Sequence, residues 1–413
     1  MHKSNPHFVG IDVGTSAVRC VVGKLDNEDS VVPTVIGASS VANRGMRKGV
    51  VIHSEEVASA VAAAVDDAER TSGVQIQSAT VSVNGGHLIG LNSKGVVAIS
   101  RASREISVED RMRAEEAATV VQLPANREIL QVFARNYHVD GQENIKDPVG
   151  MRGVRLEVDT HIVTAASPAL RILDQVFSQS GIALSNHIVA GFASAEAVLT
   201  RDQKESGTVL VDIGAGTTNV VVFEEGEVQH VAVVPMGGIH ITNDLAIGLK
   251  TDIPVAELVK QEFASALEDR RSSREVTVTV SDEEKLQFDR RAIDLIVQSR
   301  LDEIFECVDK ELRKIQRSRK LPGGIVLTGG SSQIKMLADF AKDRLELPAR
   351  TARPSGFGGV IDTSNSPSFS TAVGLMLIDM AFSNPGSNGA QMNRALTMSN
   401  NLFQSLMSKF KQR

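Results

Sequence analysis

Two stretches of this chain set an aspartate beside a glycine and a hydroxyl-rich turn, each between runs of β-branched residues. The first runs from Phe8 to Val22 and contains Asp12, Gly14, Thr15, Ser16 and Arg19. The second runs from Val209 to Phe223 and contains Asp212, Gly214, Gly216, Thr217 and Thr218. Strand-like runs flanking such a turn predict a β-hairpin in each place. Glycine lets another group come close to the backbone. Successive N–H groups in such a turn make a concave anion site, to which Ser and Thr hydroxyls add donors. An aspartate cannot face phosphate without a cation between them. Asp12 and Asp212 therefore read as holders of Mg²⁺ through its water shell. One D-x-G-[TS] turn is commonplace; two copies, each opening a β-rich half, predict a nucleotide clamped from both sides. No G-x-x-x-x-G-K-[ST] loop occurs in the chain.

Three further segments could join such a site. The run Gly324–Thr328 reads as a buried strand ending at Gly329 and Gly330, with helical spacing from Ile334 to Leu345. A helix entrance there can receive a phosphate or a sugar. Gly237 and Gly238 form a second Gly-Gly turn before a helix. Glu257 and Lys260 lie three residues apart on one helix face, which by itself reads as a surface salt bridge.

The elements that must position these groups need a large aliphatic core. The chain has 413 residues, roughly two to three domains' worth. Its 42% apolar fraction suffices for such a core, and with 23% charged residues the chain is not a disordered one. With no Trp and a single Tyr, that core falls to Val, Ile, Leu, Ala and Phe. A net charge of −6 argues against nucleic acid as a partner. Cys20 and Cys307 are the only cysteines, too few for a disulfide framework, as expected in a reducing cytoplasm. The polar start has no apolar run of the kind a signal peptide needs, so a cytoplasmic protein is expected.

Together the D-x-G-T-S string, the D-I-G-x-G-T-T string and Thr-Gly-Gly before a helix resemble the actin/Hsp70/sugar-kinase superfamily. Within it the chain is most similar to the FtsA family of actin-like bacterial cell-division proteins. The narrower match is carried by residues 10–16, 211–218, 324–330 and 370–375. The resemblance implies an α/β fold: duplicated actin-like (ribonuclease H-like) domains around a nucleotide cleft, an inserted small α+β subdomain and a helical subdomain. It implies ATP and Mg²⁺ as ligands, with Asp12 and Asp212 holding the metal through water. Gly14, Thr15 and Ser16 would form one phosphate loop, and Gly214, Gly216, Thr217 and Thr218 the other. Arg19 falls where actin has a phosphate-facing lysine, exchanging a point charge for a planar fork. The turn at Gly237 and Gly238 would also line the nucleotide site, while Gly329 and Gly330 would approach the α-phosphate and ribose. Glu257 and Lys260 match a Glu-x-x-Lys pair that contacts ribose and adenine in the Hsp70 branch. Hydrolysing members carry Glu or Gln between the halves, where this chain has Ala190 and Gly191. Slow or negligible ATP turnover is therefore expected, because in phosphoryl transfer the protein chiefly positions the reactants.

The expected organisation has a first core at residues 1–84, an inserted subdomain at 85–165, and a return to the first core at 166–204. The second core occupies 205–245 and 321–382, the latter with a closing helix, and a helical subdomain lies between them at 246–320. The insert should hold strands at His87–Leu91 and Gly95–Ile99, an acidic helix from Ser107, and strands at Ile129–His138 and Arg152–Thr164. Its placement separates FtsA and its pilus cousin PilM from actin, MreB and sugar kinases. The helical subdomain should hold a charged loop at 268–284 and a long helix from Phe288 to Ile315. In the FtsA family this subdomain receives the C-terminal peptide of FtsZ, and Arg300 and Glu303 match positions of that contact.

Residues 383–399 read as a flexible linker. Leu402, Phe403, Leu406, Met407 and Phe410 then form one apolar stripe on a helix spanning 400–413, with Lys409 and Lys411 beside it. That combination predicts an interfacial membrane helix. The expected protein is an ATP-binding, self-polymerising peripheral protein at the cytoplasmic face of the division septum. It would tether the FtsZ ring there and help recruit later divisome proteins. The alternatives are a PilM-like pilus scaffold, or a small-molecule kinase of the same superfamily.

Overall fold

A computed structural model describes residues 7–27, 30–268, 273–280, 285–359 and 362–383. Leu402, Phe403, Leu406, Met407, Lys409, Phe410 and Lys411 lie outside the described residues.

The chain begins with a meander of β1 (His7–Val13), β2 (Ala17–Lys24) and β3 (Thr34–Ala42). A small hairpin follows, β4 (Met46–Arg47) and β5 (Val50–Val51), then α1 (Ser54–Ser72) and β6 (Ser78–Val83). Helix α1 buries Val57, Ala60, Val61, Ala64, Val65 and Ala68, the one face that its periodicity makes apolar. It stops at Gly73, whose left-handed backbone returns an N–H to Glu69 O.

The insert comprises β7 (Ile89–Ala98), α2 (Val108–Ala118), β8 (Arg127–Val139), β9 (Gln142–Ile145) and β10 (Arg155–Ala166). These make an antiparallel sheet ordered β7-β10-β8-β9. The expected pair of strands at 87–99 is one continuous strand, matched to β10 from Ile89↔Thr164 to Ala98↔Arg155. His87 instead lies in a turn that Leu88 N–H closes onto Gly85 O. Gly95, expected to open the second strand, lies within the continuous one, where α2 crosses it. A Cβ there would sit 1.9 Å from Ala114 O. Ser107 and Asp110 cap α2 reciprocally.

The chain returns through α3 (Ser167–Gln179), β11 (Ala183–Val189), α4 (Ala190–Val198) and α5 (Arg201–Ser206). A second meander follows, β12 (Thr208–Ile213), β13 (Thr218–Glu224) and β14 (Glu227–Val234). After α6 (Gly238–Leu249) and α7 (Ile253–Phe263), the segment expected to be a charged loop contains β15 (Glu275–Thr279), which pairs with β16 (Lys285–Asp289) just beyond it. Phe288 belongs to β16, so the long helix starts slightly later, as α8 (Arg290–Lys314) capped by Asp289. Then come β17 (Gly324–Thr328), α9 (Leu337–Leu345), β18 (Ala349–Thr351) and α10 (Ser370–Ser383). Helical spacing began at Ile334, but Met336 takes a left-handed conformation and α9 begins at Leu337. A 3-10 turn, Gly330–Gln333, fills the gap.

The two large sheets repeat one design. The first is ordered β3-β2-β1-β6-β11 and the second β14-β13-β12-β17-β18. In both, the hairpin at the centre is antiparallel and the next two pairings are parallel. Helix α10 follows the second sheet in sequence, yet its buried residues join the core of the first. Asp379 anchors it there, accepting Val9 N–H at 3.0 Å and Thr80 Oγ1–H at 2.6 Å. Among the described residues no helix is long and apolar enough to cross a membrane.

Candidate functional site

The two sequence motifs fold alike. Gly14 N–H donates to Ala17 O at 3.1 Å, and Gly214 N–H donates to Thr217 O at 2.9 Å. Asp12 is the last residue but one of β1 and Asp212 the last but one of β12, so each carboxylate sits at the root of its turn. Both turns open on one cavity of about 690 Å³, within the range typical of small-molecule sites.

The cavity is lined by Asp12, Gly14, Thr15, Ser16 and Arg19 from the first half. Asp212, Gly214, Gly216, Thr217, Glu257, Lys260, Gly329 and Gly330 come from the second. Three expected residues stand behind the wall. Thr218 is buried and donates to Met236 O at 2.9 Å. Gly237 and Gly238 start α6, which hangs on the second turn through Gly238 N–H to Gly214 O at 2.9 Å. At the third turn the close approach is made by Gly329, in a φ of +86° that other residues seldom adopt. The entrance to a long helix plays no part there.

The halves meet at the turns. Asn84 Nδ2 donates to Thr217 Oγ1 at 3.1 Å, across from one half to the other. The basic turn between β4 and β5 reaches in as well, with Gly49 N–H donating to Thr15 Oγ1 at 3.1 Å.

Both aspartates are buried, 9% and 5% exposed. Burial raises the pKa of Asp12, against the pull of Arg19 and the Ser82 hydroxyl. Burial, helped by the charge of Asp12, raises Asp212 to about 6, although Ser194, Thr371 and Arg19 oppose this. Ser194 Oγ donates to Asp212 Oδ2 at 2.7 Å, and Ser82 Oγ to Asp12 Oδ1 at 2.8 Å. Two desolvated carboxylates with one guanidinium leave a net negative site, which a cation would relieve. No cluster of three or more His, Cys, Asp or Glu ligands occurs among the described residues. The donor set fits Mg²⁺, which keeps most of its waters and takes few carboxylates.

Lys260 is held by Glu257 Oε2 at 2.7 Å, Thr242 Oγ1 at 2.8 Å and Gly238 O at 3.2 Å. Burial works against ionised Glu257, but Lys260, Thr242 and Gln261 lower its pKa on balance. The pair thus forms part of the cavity wall, with Lys260 largely buried and Glu257 still partly in solvent. Sequence spacing did not reveal Asn84, Asn219, Ser194 or Thr371. Two of them carried a signal: Asn219 stands after its motif aspartate where Arg19 stands after the other, and Thr371 lies in the 370–375 string.

Arg300 lies away from the cavity on α8. Its fork binds Asp244 at 2.6 and 3.0 Å and reaches Glu303 Oε2 at 2.6 Å. Farther along, Lys310, Arg313 and Lys314 pair with Glu306, Asp309 and Glu311, a ladder of local ion pairs.

A family model described as "Cell division protein FtsA" matches residues 209–374, and one described as "SHS2 domain inserted in FTSA" matches residues 85–164. The chain is 37% identical over 377 residues to the cell division protein FtsA of Pseudomonas aeruginosa, covering 91% of this chain and 89% of the relative. It is 36% identical over 376 residues to that of Bacillus subtilis, covering 91% and 83%. Among solved structures it resembles the PilM-PilN type IV pilus biogenesis complex, with TM-score 0.65, 15% identity, and coverage of 91% and 99%. It also resembles MreB5 of Spiroplasma citri bound to ADP, with TM-score 0.55, 13% identity, and coverage of 93% and 99%. At such identities the likeness is one of fold, and that fold is the actin-like two-domain architecture with an inserted subdomain.

Proposed function

The chain belongs to the FtsA family of cell division proteins, and from that premise we propose that it is an ATP-binding, self-associating adaptor between the FtsZ ring and the cytoplasmic membrane. One observation carries the nucleotide reading: two hairpins of the same design, each rooted on a buried aspartate, line a single cavity. The fold neighbour MreB5 of Spiroplasma citri is described as bound to ADP and to AMPPNP. ATP with Mg²⁺ fits the donors here, with Asp12 and Asp212 holding the metal's waters and the turn amides the phosphates. The Glu257–Lys260 pair would take the ribose and base. Closing the halves on the nucleotide selects the assembling state, a hinge transition. Turnover is expected to be slow, and no small-molecule substrate is needed.

Arg300 and Glu303 are the proposed contact for the FtsZ C-terminal peptide. Arg300 is already engaged, so the peptide would use the exposed side of Glu303 and compete with Asp244 for the guanidinium. Recruitment of later division proteins belongs to the same reading.

Membrane attachment rests on the sequence of the tail. From residue 384 onward there are four cations and no acids, which leaves −10 on the rest of a chain of net −6. Each cation near an anionic leaflet contributes about 1 kcal/mol. Partial burial of the stripe Leu402, Phe403, Leu406, Met407 and Phe410 adds several more, at roughly 1.5–3 kcal/mol per fully buried side chain. So short a helix is marginal in water and folds only on a surface. A single copy therefore binds reversibly, and an assembly binds firmly through avidity.

The test is cosedimentation with liposomes containing anionic lipid, with and without ATP and an FtsZ tail peptide. Full-length protein should pellet, less so as salt rises, and deletion of residues 400–413 should abolish pelleting. Equal pelleting without those residues would contradict the tethering role.

A further inference from the structure

We propose that the inserted subdomain straps the two halves together along a seam beside the cleft, with His161 at its centre, and so holds the empty cleft near its ligand-gripping shape. The effect on ligand rests on the nucleotide reading above; the strap itself does not.

The insert is spliced into the first half and is tied to it closely. Gln131 Oε1 accepts Val189 N–H, at the end of β11, at 2.9 Å, and the Phe133 ring lies 5.0 Å from that of Phe192. Yet the insert also packs on β14, the outer strand of the second sheet. The seam starts two residues beyond Asn84, whose amide already bridges to Thr217. There a Cβ at Gly86 would stand 3.6 Å from Pro235 Cβ, an ordinary contact. At Gly90 there is no such room, since a Cβ would sit 2.6 Å from His161 Nε2 and 2.8 Å from Val231 O. Arg135 Nε donates to Gln229 Oε1 on β14 at 2.8 Å, and Lys146 Nζ donates to Glu205 Oε2 on α5 at 2.9 Å.

His161 is the buried member of this series, at 1% exposed. Val231 stands on an edge strand, where an outward N–H has no further strand to bond. His161 Nε2 accepts that N–H at 3.1 Å, and its Nδ1 lies 2.8 Å from Asn92 Oδ1. A backbone amide can only donate, so Nε2 is bare and Nδ1 carries the proton given to Asn92. Burial, with His230 and Arg135 close by, lowers the pKa of His161 to about 3, so the ring keeps this neutral form. An apolar ring would fill the same space and leave the buried Val231 N–H without an acceptor, which is costly. Because the insert is bonded to both halves, they cannot part at the cleft without shearing one set of these bonds. An unstrapped protein would spend more of its time open, and its apparent affinity for nucleotide would fall by the fraction of closed molecules lost.

Hydrogen exchange and calorimetric titration with Mg-ATP, on the full-length wild type and three variants, test this. His161→Phe removes both bonds, and Gly90→Ala wedges the seam from β7. His161→Gln keeps an acceptor for Val231 and a donor for Asn92. Without nucleotide, the amides of β14 should exchange at least about tenfold faster in His161→Phe and Gly90→Ala, and within about threefold of wild type in His161→Gln. The first two should also bind Mg-ATP about tenfold more weakly, and saturating Mg-ATP should return most of the protection. A merely local packing fault would leave the affinity alone. Wild-type exchange in both His161→Phe and Gly90→Ala overturns the strap, and faster exchange with wild-type affinity overturns its hold on the cleft. Should His161→Phe fail to fold, Gly90→Ala gives the same reading. If wild type takes up no nucleotide, exchange still judges the strap, and it is the nucleotide reading that falls.

Discussion

A valine in place of Gly216 is expected to weaken Mg-ATP binding at least about a hundredfold without unfolding the protein. A Cβ at 216 would lie 2.6 Å from Thr15 Oγ1 and 2.9 Å from Thr15 Cγ2, so the new side chain would push the two phosphate turns apart. Thr15 cannot easily retreat. Its hydroxyl accepts Gly49 N–H at 3.1 Å, and Gly49 is itself wedged between Gly85 and Thr217. A hundredfold change corresponds to about 2.7 kcal/mol, within the usual cost of overpacking a closed contact. The cores lie elsewhere, in the strands and the helices on them, so the melting curve should change little. Calorimetric titration decides it, and wild-type affinity in Gly216→Val would mean that the turns do not grip one ligand together.

The second large effect concerns stability. Gly374→Ala should destabilise the protein by about 3 kcal/mol or more, read from urea or thermal unfolding. Helix α10 is squeezed from two sides. A Cβ at 374 would meet Ala193 O at 1.8 Å, and on the other side one at Gly10 would meet Ala372 O at 2.3 Å. Both obstacles are backbone, which cannot swing away as a side chain can. A wild-type unfolding curve for Gly374→Ala would show that α10 does not pack between β1 and α4 this closely.

These two effects mark where the sequence was informative and where it was not. The hairpins were legible because a turn is local chemistry: the glycines, hydroxyls and aspartate lie within a few residues of one another. Duplication was legible for the same reason, and the repeated sheet order follows from it. Contacts made over long separations left little trace. Ser194 and Thr371 clamp Asp212 from helices far apart in sequence, and although Thr371 lies in the 370–375 string, nothing local ties either of them to that aspartate. That α10 packs back on the first sheet depends on Gly10, Gly374 and Asp379, whose spacing means nothing until the fold is known. The gap expected at residues 92–94 proved to be strand, and what Gly95 does, making room for α2, depends on a contact distant in sequence. The strands β15 and β16 do alternate, with Val276, Val278, Leu286 and Phe288 at every second place, but each is only five residues long and they lie in and beside a charged stretch.

Calorimetric titration of the full-length protein with ATP, in the presence and absence of magnesium, tests the central claim most directly. One site per chain is expected, dependent on magnesium and lost in Asp12→Asn and Asp212→Asn. Cation binding needs ionised carboxylates, and Asp212 takes up its proton at about pH 6 in the free cleft. Affinity should therefore fall as the pH is lowered through that value and recover above it. No heat with ATP and magnesium, or a site indifferent to both aspartates, would contradict the account.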